Sequence, residues 1–335
     1  MSVQELVYPY EIKDIEAHEK EQVAKLYIDG NDLLEYIRVG PKGYFFHKNF
    51  EKMAADIYNM ELRPTDMFVA TCPRAGTTWT QELVWLIAND MDFETAKSTP
   101  LTARYVFIEF SSIYNVRCRE IVMKMADNKG AARKFLSQIA IPIKETLQSM
   151  PDPRFIKTHL PMSLLPPNLL DKSKIVYVAR DPRDVVVSSY HHTVLLRKMF
   201  GFNSDFKQFW DTYRHDLFVI TPFFENVKEA WALRHHPNML FLFYEELAKD
   251  MPLTDDNIRT LCDHLSFENF KNNNSVNLKD MRDIGMLADG ETFIRKGKVS
   301  SWRGYFEGEM IQELQSWIDE NLQNTDLIFP TINYI

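Results

Sequence analysis

The 335 residues include only three cysteines, Cys72, Cys118 and Cys262. They are odd in number and far apart. That excludes a disulfide framework and gives no metal-ligand spacing, which suits a reducing compartment. No apolar run approaches the ~18 residues that a membrane span needs. Residues 1–20 are charged and lack an apolar centre, so no signal peptide is expected there and a cytoplasmic location is. Positive charge is not in surplus either. The formal net charge of −8 argues against nucleic acid or an anionic membrane as the main partner. A small polyanion stays open, because a local cluster of Arg and Lys decides that. There is no internal repeat and no low-complexity segment.

Apolar content is ample for a core: 45% of residues are hydrophobic and 26% charged. The length fits one large α/β domain or two smaller ones. Residues 67–71, 155–158, 175–179 and 239–243 read as short apolar or β-branched strands. Around them lie stretches with helical spacing: 48–58, a helix opening at Thr77 and Thr78 with an apolar stripe at 83–87, 184–196, a helix with Thr221 as N-cap and Pro222 at N1, and 307–322. Strands alternating with helices predict a parallel sheet covered on both faces. Ligands then sit beyond the carboxyl ends of the strands. Arg74, His159, Arg180 and Tyr244 each follow a predicted strand and can converge there.

The organising stretch is DMFVATCPRAGTTWTQELVWLIAND at 66–90. A strand leads into a tight Pro- and Gly-containing turn, and Thr77 and Thr78 suit the mouth of the next helix. Backbone N–H groups and the positive helix end then point at one spot, an anion cradle to which Arg74 adds fixed charge. It is P-loop-like without being a Walker A loop, since the first Gly is absent and no Lys follows Gly76.

Four segments carry a resemblance. TCPRAGTTW at 71–79, KTHLP at 157–161, YVARDPRDVVVSSY at 177–190 and RKG at 295–297 with Trp302 and Phe306 resemble, in order, the signatures of the cytosolic sulfotransferases. GPKGY at 40–44, IYNM at 57–60, TQELVWLI at 80–87 and FKNN at 270–273 are similar to the insect branch, which includes the moth retinol dehydratases. The resemblance implies a single α/β domain over 1–335, with an N-terminal extension at 1–40 and a central parallel sheet flanked by helices. The donor it implies is 3′-phosphoadenosine 5′-phosphosulfate (PAPS; product PAP), with no metal required.

The roles implied are physically sensible. Arg74, Ala75, Gly76, Thr77 and Thr78 would hold the 5′-phosphosulfate with directional donors. Trp79 and Phe267 would sandwich the adenine, with Tyr244 and Ser266 at its edge. Arg180, Ser188, Arg295, Lys296 and the Gly297 amide would hold the 3′-phosphate, a dianion suited to Arg geometry. His159 is the expected general base, since neutral imidazole can take a proton from an attacking hydroxyl. Lys157 would meet charge on the sulfuryl oxygens. Taken singly, each of these residues also reads as core, strand end or solvated loop; the ordered set carries the assignment. His191-His192 lacks the spacing of a metal site and reads as surface or pocket wall.

Several positions depart from the family. Arg74 replaces a Lys and cannot give up a proton at working pH. Ala75 replaces Ser, Leu265 replaces Thr, and Ser300-Ser301 replaces Gly-Asp. The centre of the family dimer motif reads Glu307-Gly308, so the resemblance does not carry the homodimer to this chain.

The expected activity is sulfuryl transfer to a hydroxyl of a small apolar acceptor. Tyr105, Phe107 and Phe110 beside His159 point to a phenol or lipophilic alcohol, in detoxification or retinoid metabolism. The alternative is retinol dehydration through a transient allylic sulfate. A P-loop nucleotide kinase is disfavoured by the missing GK and the absence of an evident Mg²⁺ carboxylate; a non-catalytic nucleotide-binding module is disfavoured by the presence of His159 and Lys157. Residues 111–152 are expected to form a helical lid insertion over the acceptor pocket, with Gly130 separating two helices as a hinge.

Overall fold

The computed structural model describes residues 6–28, 35–248 and 256–330. Parts of the expected 1–40 extension, at 1–5 and 29–34, lie outside the described residues. What is described of it is more than an appendage. Strand β1 (Ile12–Asp14) pairs antiparallel with β2 (Tyr36–Val39), which pairs with β3 (Tyr44–His47). Gly40 and Gly43 take positive φ in the turn between β2 and β3, where a Cβ would be strained.

The main sheet holds β4 (Met67–Thr71), β5 (Val106–Phe107), β6 (Phe155–Thr158), β7 (Lys174–Ala179) and β8 (Met239–Phe243). Their spatial order is β5-β6-β4-β7-β8, all parallel. β4 in the centre is nearly all buried, as are the inner residues of β6 and β7. That explains the continuous apolar character of most of β4 and β7, because helices cover both faces of such a sheet. A buried ion pair, Arg154 to Asp66 at 2.6 Å, ties the start of β6 to the start of β4. The expected α/β fold with a central parallel sheet is therefore what the chain forms. Among the described residues, no helix is long and apolar enough to cross a membrane.

Local expectations needed correction in four places. Residues 48–58 form a 3₁₀ turn, Lys48–Lys52, and then a short helix, Ala54–Tyr58, broken at Met53. Pro222 is the cap residue of helix Phe223–Ala232 rather than its first turn, and the Thr221 hydroxyl donates back to the Phe218 carbonyl. Helix Thr77–Ala88 starts from Gly76 in the left-handed region, with no side-chain cap. The Thr77 hydroxyl instead bonds the Thr71 hydroxyl at 2.6 Å, so the first helix N–H groups are left for another acceptor. Residues 111–152 hold helices Val116–Met125, Lys129–Ile139 and Ile143–Ser149. Gly130 is not a joint between them. The break falls before Lys129, where the Asn128 carboxamide accepts the Ala131 N–H, and this cap places Gly130 inside the helix.

Candidate active site

The carboxyl ends of β4, β6 and β7 meet at one cavity of about 1710 Å³. Arg74, Thr77, Thr78, Trp79, Lys157, His159, Arg180, Ser188, Tyr244, Ser266, Phe267, Arg295, Lys296 and Gly297 all line it, so the expected donor residues are brought together. Gly76 lines it too, while Ala75 is fully buried in the turn behind.

One end of the cavity is strongly positive. The Arg74 guanidinium donates to Ser188 Oγ at 3.2 Å and lies 4.8 Å above the Phe293 ring. Arg180 donates to the Arg74 carbonyl at 3.1 Å and lies 4.3 Å over Tyr244. Burial, then the charges of Arg180 and Arg295, pull Arg74 down to about 10, still charged at neutral pH. The buried Nε of Arg180 has no hydrogen-bond partner. An orphaned donor among crowded cations is what an anion-binding pocket leaves behind when only protein is counted.

Two glycines shape the flat part of this end. A Cβ on Gly76, at φ +104°, would sit 2.5 Å from the Tyr244 ring. A Cβ on Gly297, at φ +60°, would sit 2.4 Å from the Phe267 ring. Both are close approaches of backbone to aromatic side chain that only glycine permits. The Trp79 indole donates to the Leu265 carbonyl at 2.9 Å, which fixes its plane.

The middle of the cavity holds His159 and Lys157, from the end of β6. His159 Nδ1 is 2.9 Å from the Thr71 carbonyl oxygen. A carbonyl only accepts, so Nδ1 carries the proton and Nε2 the lone pair. Burial, and then the nearby Lys157 charge, hold the imidazole well below its usual range. It is therefore neutral at working pH. Asn226 Nδ2 donates to the His159 carbonyl at 3.1 Å, and the Tyr177 hydroxyl steadies Asn226 at 2.8 Å. Lys157 Nζ lies 4.0 Å over the Phe107 ring, and burial lowers its pKa.

The other end is aromatic. Phe107 meets His159 edge-on at 5.2 Å, Phe110 meets Phe107 at 5.5 Å, and Phe135 of helix Lys129–Ile139 meets Phe110 at 6.2 Å. Tyr105 borders the cavity but is committed to the core: its hydroxyl donates to the Gln81 carbonyl at 2.9 Å and its ring packs on Phe155.

Three residues, Phe293, Asp184 and Glu109, escaped the sequence reading, while His192 forms the pocket wall that was one of its two readings. Phe293 supports Arg74. His192 lines the cavity and is held neutral by burial and by the charges of Arg74 and Lys157. Asp184 accepts the N–H groups of Ser300 and Trp302 at 2.8 and 2.9 Å, fixing the loop that follows Gly297. Glu109, buried, accepts the His159 N–H and the Thr158 hydroxyl. Its signal was in the sequence: a lone carboxylate between Ile108 and Phe110, which must be partnered when buried.

Comparison with known proteins gives a consistent picture. Residues 64–326 match the family model described as "Sulfotransferase domain". The chain is 33% identical to luciferin sulfotransferase of Photinus pyralis, over 89% of this chain and 82% of that one. It is 28% identical to sulfotransferase 1E1 of Bos taurus, over 86% and 94%. Among solved structures, retinol dehydratase in a complex with retinol and PAP is 47% identical, with a TM-score of 0.90, over 97% of this chain and 100% of that one. Retinol dehydratase in complex with androsterone and PAP is 46% identical, with a TM-score of 0.89, over 97% and 99%.

Proposed function

The chain belongs to the sulfotransferase family, and from that premise we propose how its own residues carry out sulfuryl transfer from PAPS to a small apolar acceptor. The observation that carries this reading is continuity: one cavity runs from the arginine cluster, past a neutral His159, to an aromatic wall. A polyanionic donor and an apolar hydroxyl compound meet at the imidazole.

Arg180 and Arg295 bind the 3′-phosphate, with Ser188, Lys296 and the Gly297 amide beside them. Trp79 and Phe267 enclose the adenine, and Tyr244 and Ser266 meet its edge. The uncapped N–H groups of helix Thr77–Ala88, with Arg74, Thr77 and Thr78, receive the 5′-phosphosulfate. His159 Nε2 takes the proton of the acceptor hydroxyl as its oxygen bonds sulfur and the sulfur–oxygen bond to the 5′-phosphate breaks. Lys157 holds the charge on the sulfuryl oxygens in transit. Arg74 supplies charge to the leaving phosphate without giving up a proton.

Residues 111–152 act as a lid. Phe135, Ile139, Ile141 and Ile143 from this segment line the acceptor end, and closing it keeps water from the donor. A cytoplasmic location belongs to the same reading, supported by Cys72, Cys118 and Cys262 standing free.

A second reading is favoured by the likeness to retinol dehydratase. With a conjugated allylic alcohol, the sulfate ester would leave as sulfate while a carbon further along the conjugated chain loses a proton to a base, the double bonds shifting to give one more. The test of both is ³⁵S-labelled PAPS offered to phenols, catechols, steroids and retinol, with products identified by mass. Sulfate esters support transfer, and a retinoid product lighter by one water supports dehydration. No product with any of these acceptors would refute both.

A further inference from the structure

We infer that Glu109 is a positioning residue of the reaction: it sets the backbone segment that carries Lys157 and His159. This rests on the sulfuryl-transfer reading above. Glu109 stands just past β5, at the edge of the sheet next to β6, and is 3% exposed. One carboxylate oxygen accepts the His159 N–H, and the other accepts the Thr158 hydroxyl at 3.0 Å. The Thr158 hydroxyl in turn accepts the Leu160 N–H at 3.1 Å. The Ile108 N–H donates to the Lys157 carbonyl at 3.2 Å. The segment 157–160, which carries both reactive side chains, is thus gripped along its length from 108–109.

The electrostatics work in the same direction. Burial disfavours both the Glu109 carboxylate and the Lys157 ammonium, and each stabilises the charge of the other. The charged or titratable groups that act on this pair are Arg74 from the loop after β4, His159 on the same segment as Lys157, and His192 from helix Pro182–Leu195. Arg74 opposes the Lys157 charge, and both imidazoles are neutral. Among these groups Glu109 is the one that can carry negative charge, and burial pushes its carboxyl up to about 7. Its loss would leave Lys157 beside Arg74 without compensation, and Lys157 would lose its proton at lower pH.

Glu109→Gln keeps the shape, removes the charge, and replaces one accepting oxygen with an amide donor facing an N–H or a hydroxyl. The expected result is a kcat about 10²-fold lower, the scale of a small misplacement at a reacting centre. Affinity for PAP, by calorimetry, should stay within about twofold, the scale of a few tenths of a kcal/mol. The alkaline limb of the kcat profile should move to lower pH. Glu109→Asp keeps the charge but withdraws it by one methylene. It should lose rate with the alkaline limb in its wild-type place, and it keeps the question open to test if the Gln variant does not fold. Wild-type kcat with an unmoved limb in Glu109→Gln, or wild-type rate in Glu109→Asp, would overturn the inference. A failure of the transfer reading itself would look different, as no sulfated product from the wild-type protein with any acceptor.

Discussion

Gly297→Ala separates backbone strain from donor binding. The new Cβ would lie 2.4 Å from the Phe267 ring, against the ~3.5–4.0 Å of ordinary carbon contact. The ring must retreat by about 1 Å. At φ +60° an L-residue also costs about 1–2 kcal/mol. That strain falls on free and bound protein alike, so it lowers the melting temperature and not the affinity. Affinity falls through the displaced ring. An aromatic stack on a base is worth ~1–3 kcal/mol, or about 5- to 150-fold in Kd for PAP. The assay is calorimetry on a double-mutant cycle with Phe267→Ala. Once the ring is gone, Gly297→Ala has nothing to displace and should cost little further affinity, so the two losses should not add. If Gly297→Ala weakens PAP equally in both backgrounds, Phe267 is not the route by which Gly297 shapes the adenine site.

Arg180→Ala and Arg295→Ala should each weaken PAP by roughly 1.5–3 kcal/mol, the worth of a hydrogen bond to a charged group. An analogue lacking the 3′-phosphate should lose much less; equal losses for both ligands would show that these arginines do not read that phosphate. Replacing residues 111–152 with a short Gly-Ser linker should raise acceptor KM or donor hydrolysis, with PAP affinity little changed. Unchanged acceptor preference without added hydrolysis would remove the lid.

How far the sequence could be read follows from what each segment must do. β4, β6 and β8 were legible to the residue, because each is a short run rich in apolar, β-branched and aromatic residues. β2 and β3 were not. Tyr36–Val39 and Tyr44–His47 are buried almost throughout, so they lack the alternation that marks a half-exposed hairpin. β5 has two residues, too few for any period. At the site, Arg74, His159 and Arg180 were visible because each follows a strand. Tyr105 was read with Phe107 and Phe110 as an acceptor-side residue; it does line the cavity, but nothing local shows its hydroxyl bonded to the Gln81 carbonyl. Thr77 was read as a helix-mouth hydroxyl, the usual propensity, but its partner is Thr71 across the turn. Asp184 acts on residues more than a hundred positions away, a contact that only the closed fold creates.

The most direct test is a single turnover of ³⁵S-labelled PAPS with excess enzyme and acceptor, comparing wild type with His159→Ala. Removing a general base costs ~10²–10⁴-fold in rate, while PAP affinity should be nearly unchanged. In wild type the imidazole is neutral well below pH 6.5, because burial depresses it. Its unprotonated form is the active one, so His159 itself should put no acid limb in the usual histidine range; a limb there belongs to Glu109, pushed up to about 7. A slow His159→Ala that still binds PAP is the predicted result. Wild-type single-turnover rate in His159→Ala would contradict the account at its centre.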